Sequence, residues 1–383
     1  MSAARSGPRS RGTARRNRAS ARYPWISVLS ALSYWHAIDL FGNVPLLTEN
    51  DPVGATPPKQ STRVDIYNFI VSELTSIGPA LPSPGPSAYG RATGPAASML
   101  LAEVYLNAGV YTGTPAYDKA LAAAQAVIAA PYSLDANYQH MFLADNNTSP
   151  EIIFAITQDG LKTQTYGGVT FLAHASCGGG MNNTTYGIDG CWWGVRLKPE
   201  AYNLFGGGDK RAAFFVNNGS VAVTSISDFT KGIAAPKYQN VTSGGQPGSN
   251  LTFVDTDFPM FRLGEAYLIY VEANLRGGGG SAAQALTYFN ALRERAYGST
   301  SADITAPQLT LDTLLAERGR ELLWEAHRRT DLVRFGRFTG GSYIWSWKGG
   351  TQAGAATAAT LDLYPLPASE LVANPNLKQN PGY

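Results

Sequence analysis

Cysteine is nearly absent: the 383-residue chain has two, Cys177 and Cys191, and its four histidines (His36, His140, His174, His327) are dispersed, with only His174 close to the pair. A structural zinc site needs four ligands, so this supply predicts no metal centre and no metal cofactor. Long apolar runs are missing as well. No stretch approaches the roughly 18 apolar residues that a membrane-spanning helix needs. Catalytic signatures are also lacking, because G-x-S-x-G, H-E-x-x-H and Walker patterns do not occur. The glycine runs at 178–180, 206–208 and 277–280 lack the Lys-Ser/Thr of a phosphate loop. A glycoside hydrolase would need only two carboxylates facing across a groove. Asp189 with Asp209 or Asp228 can be imagined there, but nothing in their spacing selects them. The chain is read as a non-enzyme without a cofactor.

Acidic residues are missing from positions 1–22, which hold seven arginines. The formal charge of +2 on the whole chain becomes −5 on the remainder once those seven are set aside. A nucleic-acid-binding body would need a basic face, so nucleic acid is excluded as a partner. The Arg/Ser/Gly/Ala/Pro composition predicts a disordered head over 1–25, outside the fold. No apolar h-region follows it, so it does not read as a secretory signal.

What is present is a large supply of core residues: 44% of the chain is hydrophobic and only 15% charged. Helical periodicity dominates 26–130 and 259–338. "VLSALSYWHAIDLFG" (28–42) stops at a glycine, and "STRVDIYNFIVSELTSI" (61–77) opens with a Thr62/Asp65 capping pattern. Two helical hairpins then repeat one design. "PAASMLLAEVYLNAG" (95–109) with "PAYDKALAAAQAVIAA" (115–130) returns as "FRLGEAYLIYVEANLRG" (261–277) with "SAAQALTYFNALRERA" (281–296). Small alanines let such helices approach closely, as tetratricopeptide-like hairpins require. Ser281 and Gln284 read as a capping box for the last of them.

A long helix is expected over "TLDTLLAERGRELLWEAHRR" (310–329), with Glu317, Arg320, Glu321, Glu325 and Arg328 pairing along one side. Cations around these glutamates favour permanently ionised carboxylates in a structural network rather than a general acid. Residues 131–258 differ from both flanks. They are rich in Gly, Asn, Thr and aromatics, with short extended pieces such as "EIIFAIT" (151–157). So long an irregular insertion on a helical scaffold is where function concentrates. Within it, "SCGGGMNNTTYGIDGCWWG" (176–194) reads either as a loop closed by a Cys177–Cys191 disulfide or as two unrelated buried thiols.

Four ordered blocks resemble the SusD/RagB family. They are "ALSYWHAIDLFGNVPLLTE" (31–49), "DTDFPMFRLGEAYLIYVEANLRGG" with "ALTYFNALRERA" (255–296), "ERGRELLWEAHRRTDLVRFGRF" (317–338) and the ending "LYPLPASELVANPNLKQNPGY" (363–383). The resemblance covers about residues 28–383. It implies a mainly α protein, a SusD-like superhelix of tetratricopeptide-like hairpins with a loop-rich insertion containing short strands. It places one domain over 26–383, with 339–383 as a C-terminal extended segment. It further implies a surface lipoprotein of the outer membrane that captures oligosaccharide for a partner TonB-dependent, SusC-like transporter. Two departures stand out. No cysteine precedes Cys177 where the family carries a signal and a lipid-modified cysteine, and the family has roughly a hundred further residues ahead of the "YWHAIDLFG" helix. The expectation is a shortened or mis-started chain without signal peptide and lipobox cysteine.

Oligosaccharide recognition needs aromatic rings against the C–H face of a sugar and planar polar groups for its hydroxyls. The insertion offers Tyr166, His174, Asn182, Asn183, Tyr186, Asp189, Trp192, Trp193 and Arg196. For Trp192 and Trp193, ligand platform and core remain equal readings, one residue for each part. "YIWSWKGG" (343–350) places Trp345 and Trp347 on one side of a possible strand, where packing is the favoured role.

Overall fold

The computed structural model describes residues 24–383 except 49–50, 52–53, 55 and 218. The arginine-rich head lies outside the described residues as far as position 23, and Pro24 and Trp25 already belong to the first helix, ahead of the expected boundary. Helix α1 (Pro24–Phe41) turns Val28, Leu32, Trp35 and Ile38 inward and ends at Gly42, whose φ of 71° suits a C′ glycine. The short strands β1 (Val44–Pro45) and β2 (Gln60–Ser61) pair antiparallel. Helix α2 (Arg63–Ile77) starts on a complete capping box, Thr62 and Asp65 each bonding the other's backbone, and packs on α1.

The first hairpin is α3 (Gly94–Leu106), the single-turn extension α4 (Ala108–Thr112) and α5 (Tyr117–Ile128). Strand β3 (Ile152–Ile156) then leads into the insertion. Besides 3₁₀ turns, the described residues of the insertion form the short helices α6 (Gly168–Ala175) and α7 (Pro199–Tyr202) and the strand pair β4 (Val216–Asn217) and β5 (Ile233–Ala234). Strand β6 (Phe258–Arg262) returns antiparallel to β3, Ile152 opposite Arg262 and Ile156 opposite Phe258, so the chain leaves and re-enters the scaffold at one place. The helix expected from 261 begins at Leu263, because Phe261 and Arg262 complete this strand. Helix α8 (Leu263–Leu275) and α9 (Ala282–Tyr297) form the second hairpin. Ser281 Oγ accepts from the Gln284 amide at its start, and Gly298 (φ 71°) closes its end. Helix α5 packs against both α3 and α8, with Ala120 and Ala124 inward, so the two hairpins stack. Helix α8 is buried nearly all round, as a central element should be.

The single helix expected over 310–329 is two: α10 (Leu311–Glu321) and α11 (Arg328–Arg334). Between them Trp324 and Ala326 take left-handed backbone conformations, φ 60° and 68°. Each costs about 1–2 kcal/mol for a non-glycine residue. The turn exposes the Leu323 carbonyl to Lys237 Nζ and the Trp324 carbonyl to the Tyr238 hydroxyl, and brings Glu325 to 2.6 Å from both Lys237 Nζ and Arg262 Nε. Those tertiary bonds offset the strain. Of the pairs expected along the helix, Arg320 with Glu317 is realised, whereas Arg328 donates to the Leu315 carbonyl.

Two apolar clusters result. One comes from the helices, with Ile70, Leu100, Leu268, Phe289 and Leu314 fully buried; the other comes mainly from the insertion, around Tyr138, Phe142, Ile188 and Tyr238. Leu322 belongs to the first and Leu323 to the second, and the junction is charged. Arg262 Nη1 lies 2.6 Å from Glu321 Oε1 and 2.9 Å from Glu151 Oε1, while Arg211 Nη1 lies 2.6 Å from Glu317 and 2.9 Å from Glu321. Arg295 joins Glu151 and Glu321. Burial by itself would push Glu317 up, but Arg211 and Arg320 hold it down to about 2; Glu321 and Glu325 are likewise held below their ordinary value against burial, by Arg295 and Arg262 first respectively. These glutamates are permanently ionised structural groups, as their cationic surroundings in the sequence suggest.

The last segment is less extended than expected: it contains α12 (Ala368–Ala373) and several tight turns. It straps back onto the start of the fold, Tyr364 N donating to the Leu40 carbonyl and Asn380 Nδ2 to the Phe41 carbonyl. No strand forms at 343–350, since Trp347 adopts φ 69° and a 3₁₀ turn follows. Trp345 instead packs on Phe338 and Tyr343 under the Lys348 ammonium, and Trp347 Nε1 donates to the Val223 carbonyl.

Candidate functional site

The loop between α6 and α7 is built on the C-terminal end of α6. Cys177 and Cys191 are joined by a disulfide, 4.8 Å between Cα atoms. The chain after the bridge runs along α6: Trp192 N donates to the His174 carbonyl at 3.0 Å, Trp193 N to Cys177 at 3.1 Å and Gly194 N to Ala175 at 2.9 Å. A Cβ on Gly194 would stand 2.8 Å from the Ala175 methyl, and one on Gly178 2.9 Å from Trp193, so this tight layering requires glycine at both positions.

The layering fixes Trp192. Its ring stacks on His174 with centroids 4.4 Å apart, and Tyr166 (6.0 Å) and Phe171 (6.3 Å) stand around it. Phe253 lies 5.2 Å from Tyr166. Tyr166 is 66% exposed, Phe171 42% and Trp192 37%, so a group of rings faces solvent although its base is fixed. His174 is fully buried, its two ring nitrogens facing the Gly190 and Thr252 carbonyls at 2.6 and 2.9 Å. Beside it, Asp189 is exposed and accepts from the Thr252 hydroxyl, with Oδ1 3.9 Å from His174.

The other residues singled out in the sequence are distributed differently. Trp193, 58% exposed, stands apart from Trp192 and packs on Phe229. Tyr186 is half-buried against the insertion's apolar cluster, which raises its hydroxyl pKa. Asn182 Oδ1 caps the Asn183–Tyr186 turn, and Asn183 Nδ2 donates to the Ile188 carbonyl. Arg196 donates to the carbonyls of Ser225, Ile226, Asp228 and Lys231, clamping that loop. The structure therefore brings Tyr166, Asp189 and Trp192 together and spends Asn182, Asn183 and Arg196 on backbone. Phe171 and Phe253 complete the ring group, and sequence reasoning missed both. Phe171 sits in an apolar helix that reads as core, and Phe253 has no local signal.

Asp209 and Asp228, the two partners considered for Asp189 in hydrolysis, are engaged elsewhere. Asp209 is buried in a two-point bond with Arg211, and Asp228 accepts from Thr230. Among the described residues, one group has metal-like spacing: Glu103, Glu265 and His327, within 4.8 Å of one another. Arg318 Nη2 stands 3.9 Å from Glu103 and already supplies positive charge there. Burial, and then the neighbouring Glu103, push the Glu265 carboxyl well above its usual range. The two glutamates are the matching positions of the two repeated hairpins, Glu103 in α3 and Glu265 in α8.

These geometries have relatives. The SusD family profile matches residues 215–383. The starch-binding protein SusD of Bacteroides thetaiotaomicron is 35% identical over 418 aligned residues, covering 96% of this chain and 73% of that protein. The solved surface glycan-binding protein A from Bacteroides thetaiotaomicron superposes with a TM-score of 0.74 at 25% identity, over 95% of this chain and 78% of that one. The same-named protein solved in complex with laminarihexaose gives 0.73 at 23% identity, over 94% and 78%. The chain belongs to the SusD family.

Proposed function

We propose that the chain is a non-catalytic, cell-surface glycan-binding protein. It captures oligosaccharide on the Tyr166–Trp192 ring group and passes it to a TonB-dependent, SusC-like transporter in the outer membrane. The observation that carries the binding reading is the set of exposed rings standing on a disulfide-closed loop. Stacking Trp192 on a buried histidine fixes its angle before a ligand arrives, so less ordering cost falls on binding. A pyranose laid on Tyr166 and Trp192 would place its rim hydroxyls within reach of the exposed Asp189. The family's binding-protein names, starch among the ligands, support this reading over catalysis.

Soluble starch cast in a native gel should retard the purified protein without releasing reducing sugar. Trp192→Ala and Tyr166→Ala should each abolish the retardation, and Trp193→Ala should weaken it less. Unchanged migration of both first variants would move the site, and sugar release would overturn the non-catalytic reading. The partner is tested separately, by co-purification of a TonB-dependent transporter with the tagged chain from its native membrane.

A further inference from the structure

A second cavity, of about 470 Å³, opens between the start of α7, the left-handed turn after α10 and the Tyr343–Trp345 loop. That volume falls within the roughly 300–1,000 Å³ of small-molecule pockets. Its wall carries five cations (Arg196, Lys198, Arg318, Arg328, Arg329) and one acid, Glu200. Arg196 is occupied by loop carbonyls and Arg329 by Asp39 and the Asp362 carbonyl. Of the remaining three, Arg318 is paired with Asp331 and Glu103, and Lys198 and Arg328 are under-used. Among the described residues neither Lys198 nor Arg328 has an ion-pair partner, and Arg328 reaches only the Leu315 carbonyl and, at 3.5 Å, the Tyr343 hydroxyl. Arg318 is 1% exposed; its Nη2 lies 2.9 Å from Asp331, yet none of its three nitrogens makes a well-directed hydrogen bond. Burial draws the Lys198 ammonium below its ordinary value, with Glu200 pulling the other way, as for a cation short of counter-charge.

Aromatic rings line the cavity beside these cations, Arg328 lying 5.9 Å from the Tyr343 ring. Trp345 lies 5.9 Å from Phe338 and 5.7 Å from Tyr343, and Trp324 adds a fourth ring. Trp324 and Ala326, two of the four non-glycine residues with left-handed backbone among the described residues, line this cavity. Backbone held in a sparsely populated conformation beside a pocket is a common mark of a ligand site. A group of rings beside two cations without ion-pair partners, Lys198 and Arg328, is complementary to a pyranose that carries a carboxylate.

We infer that this cavity is a second saccharide site that takes an acidic sugar. The aromatic wall covers the ring face, and Lys198 and Arg328 hold the carboxylate. The site is separate from the Trp192 platform, so the two can fail independently. Isothermal titration with glucuronate, glucose and acetate tests it. Charge-assisted hydrogen bonds are worth about 1.5–3 kcal/mol, so glucuronate should bind at least about tenfold more tightly than glucose and weaken with added salt. Lys198→Gln, at a half-buried position, and Arg328→Gln should each bring glucuronate toward the glucose level at unchanged Tm. Trp192→Ala should leave it untouched. Should Arg328→Gln unfold the chain, Lys198→Gln carries the test alone. Equal affinity for glucuronate and glucose, acetate binding as well as glucuronate, or loss of glucuronate binding in Trp192→Ala would each overturn the assignment.

Discussion

The stacked hairpins and the insertion solve the same problem with different means. In the hairpins the backbone satisfies itself, and order comes from apolar faces meeting across small residues such as Ala120 and Ala124. In the insertion there is little ladder to use, and buried side-chain amides replace it. Asn240 donates to the carbonyls of Gly187 and Asn250 and accepts from the Asp255 amide; Asn146 does the same for Met141 and Asp257. A helix spreads its stability over many small contacts, whereas the insertion concentrates it on a few polar residues. It is therefore the more sensitive to single changes.

The junction of the two regions should show the largest effect. Arg262→Met leaves Glu151, Glu321 and Glu325 buried with fewer cations, a class of change that costs about 3–5 kcal/mol, and both regions should unfold together in a denaturant titration. Separate transitions would show that the charged junction does not couple them. Acid probes the same groups. Glu317 titrates at about 2 in the folded chain against 4.5 ordinarily, so the unfolded chain takes up protons first as pH falls. Its stabilisation, present above pH ~4.5, is lost on the way down to about 2, roughly 3 kcal/mol from this group. Glu265 acts in the opposite sense, its raised pKa giving a contribution that is lost as pH rises. A thermal midpoint that stays level from pH 5 to 2 would contradict the ionised junction.

Asn240→Ala strips one buried and two partly buried backbone groups of their partner, up to about 1–3 kcal/mol for the buried one, and should loosen the insertion while helical circular dichroism persists. Replacing both Cys177 and Cys191 by alanine should cost roughly 3 kcal/mol in the chain-entropy account and weaken glycan retention. Smallest in stability is Trp192→Ala, a partly exposed ring, which should shift the midpoint by no more than about 1 kcal/mol while removing binding. A collapse of the fold there would make Trp192 a structural residue.

Much of the scaffold was legible because its signals are local. The Thr62–Asp65 cap, the glycine stops and the repeated Glu-x-Tyr helices depend on neighbours a few residues away. The break after Glu321 was not legible, since Leu323 and Trp324 turn their carbonyls toward Lys237 and Tyr238, more than eighty residues earlier. The paired tryptophans at 345 and 347 carried an alternation typical of a strand, but no partner strand adjoins them. In the site, residue types pointed to Tyr166 and Trp192. What divided them from Arg196 or Asn183 was which polar groups the backbone had already claimed, and only three-dimensional contacts decide that.

The β3–β6 pair has a further consequence. About a hundred residues leave and return through two strands whose ends lie opposite each other, and Arg211 and Lys237 tie the far part of the insertion back to Glu317, Glu321 and Glu325. Loop-closure cost grows only with the logarithm of length, about 0.6 kcal/mol per doubling. Lengthening or shortening the exposed loops of the insertion therefore perturbs the scaffold little, provided Arg211 and Lys237 keep their places against the buried glutamates. Within that limit the hairpins can serve as a constant chassis for a variable, contiguous cassette.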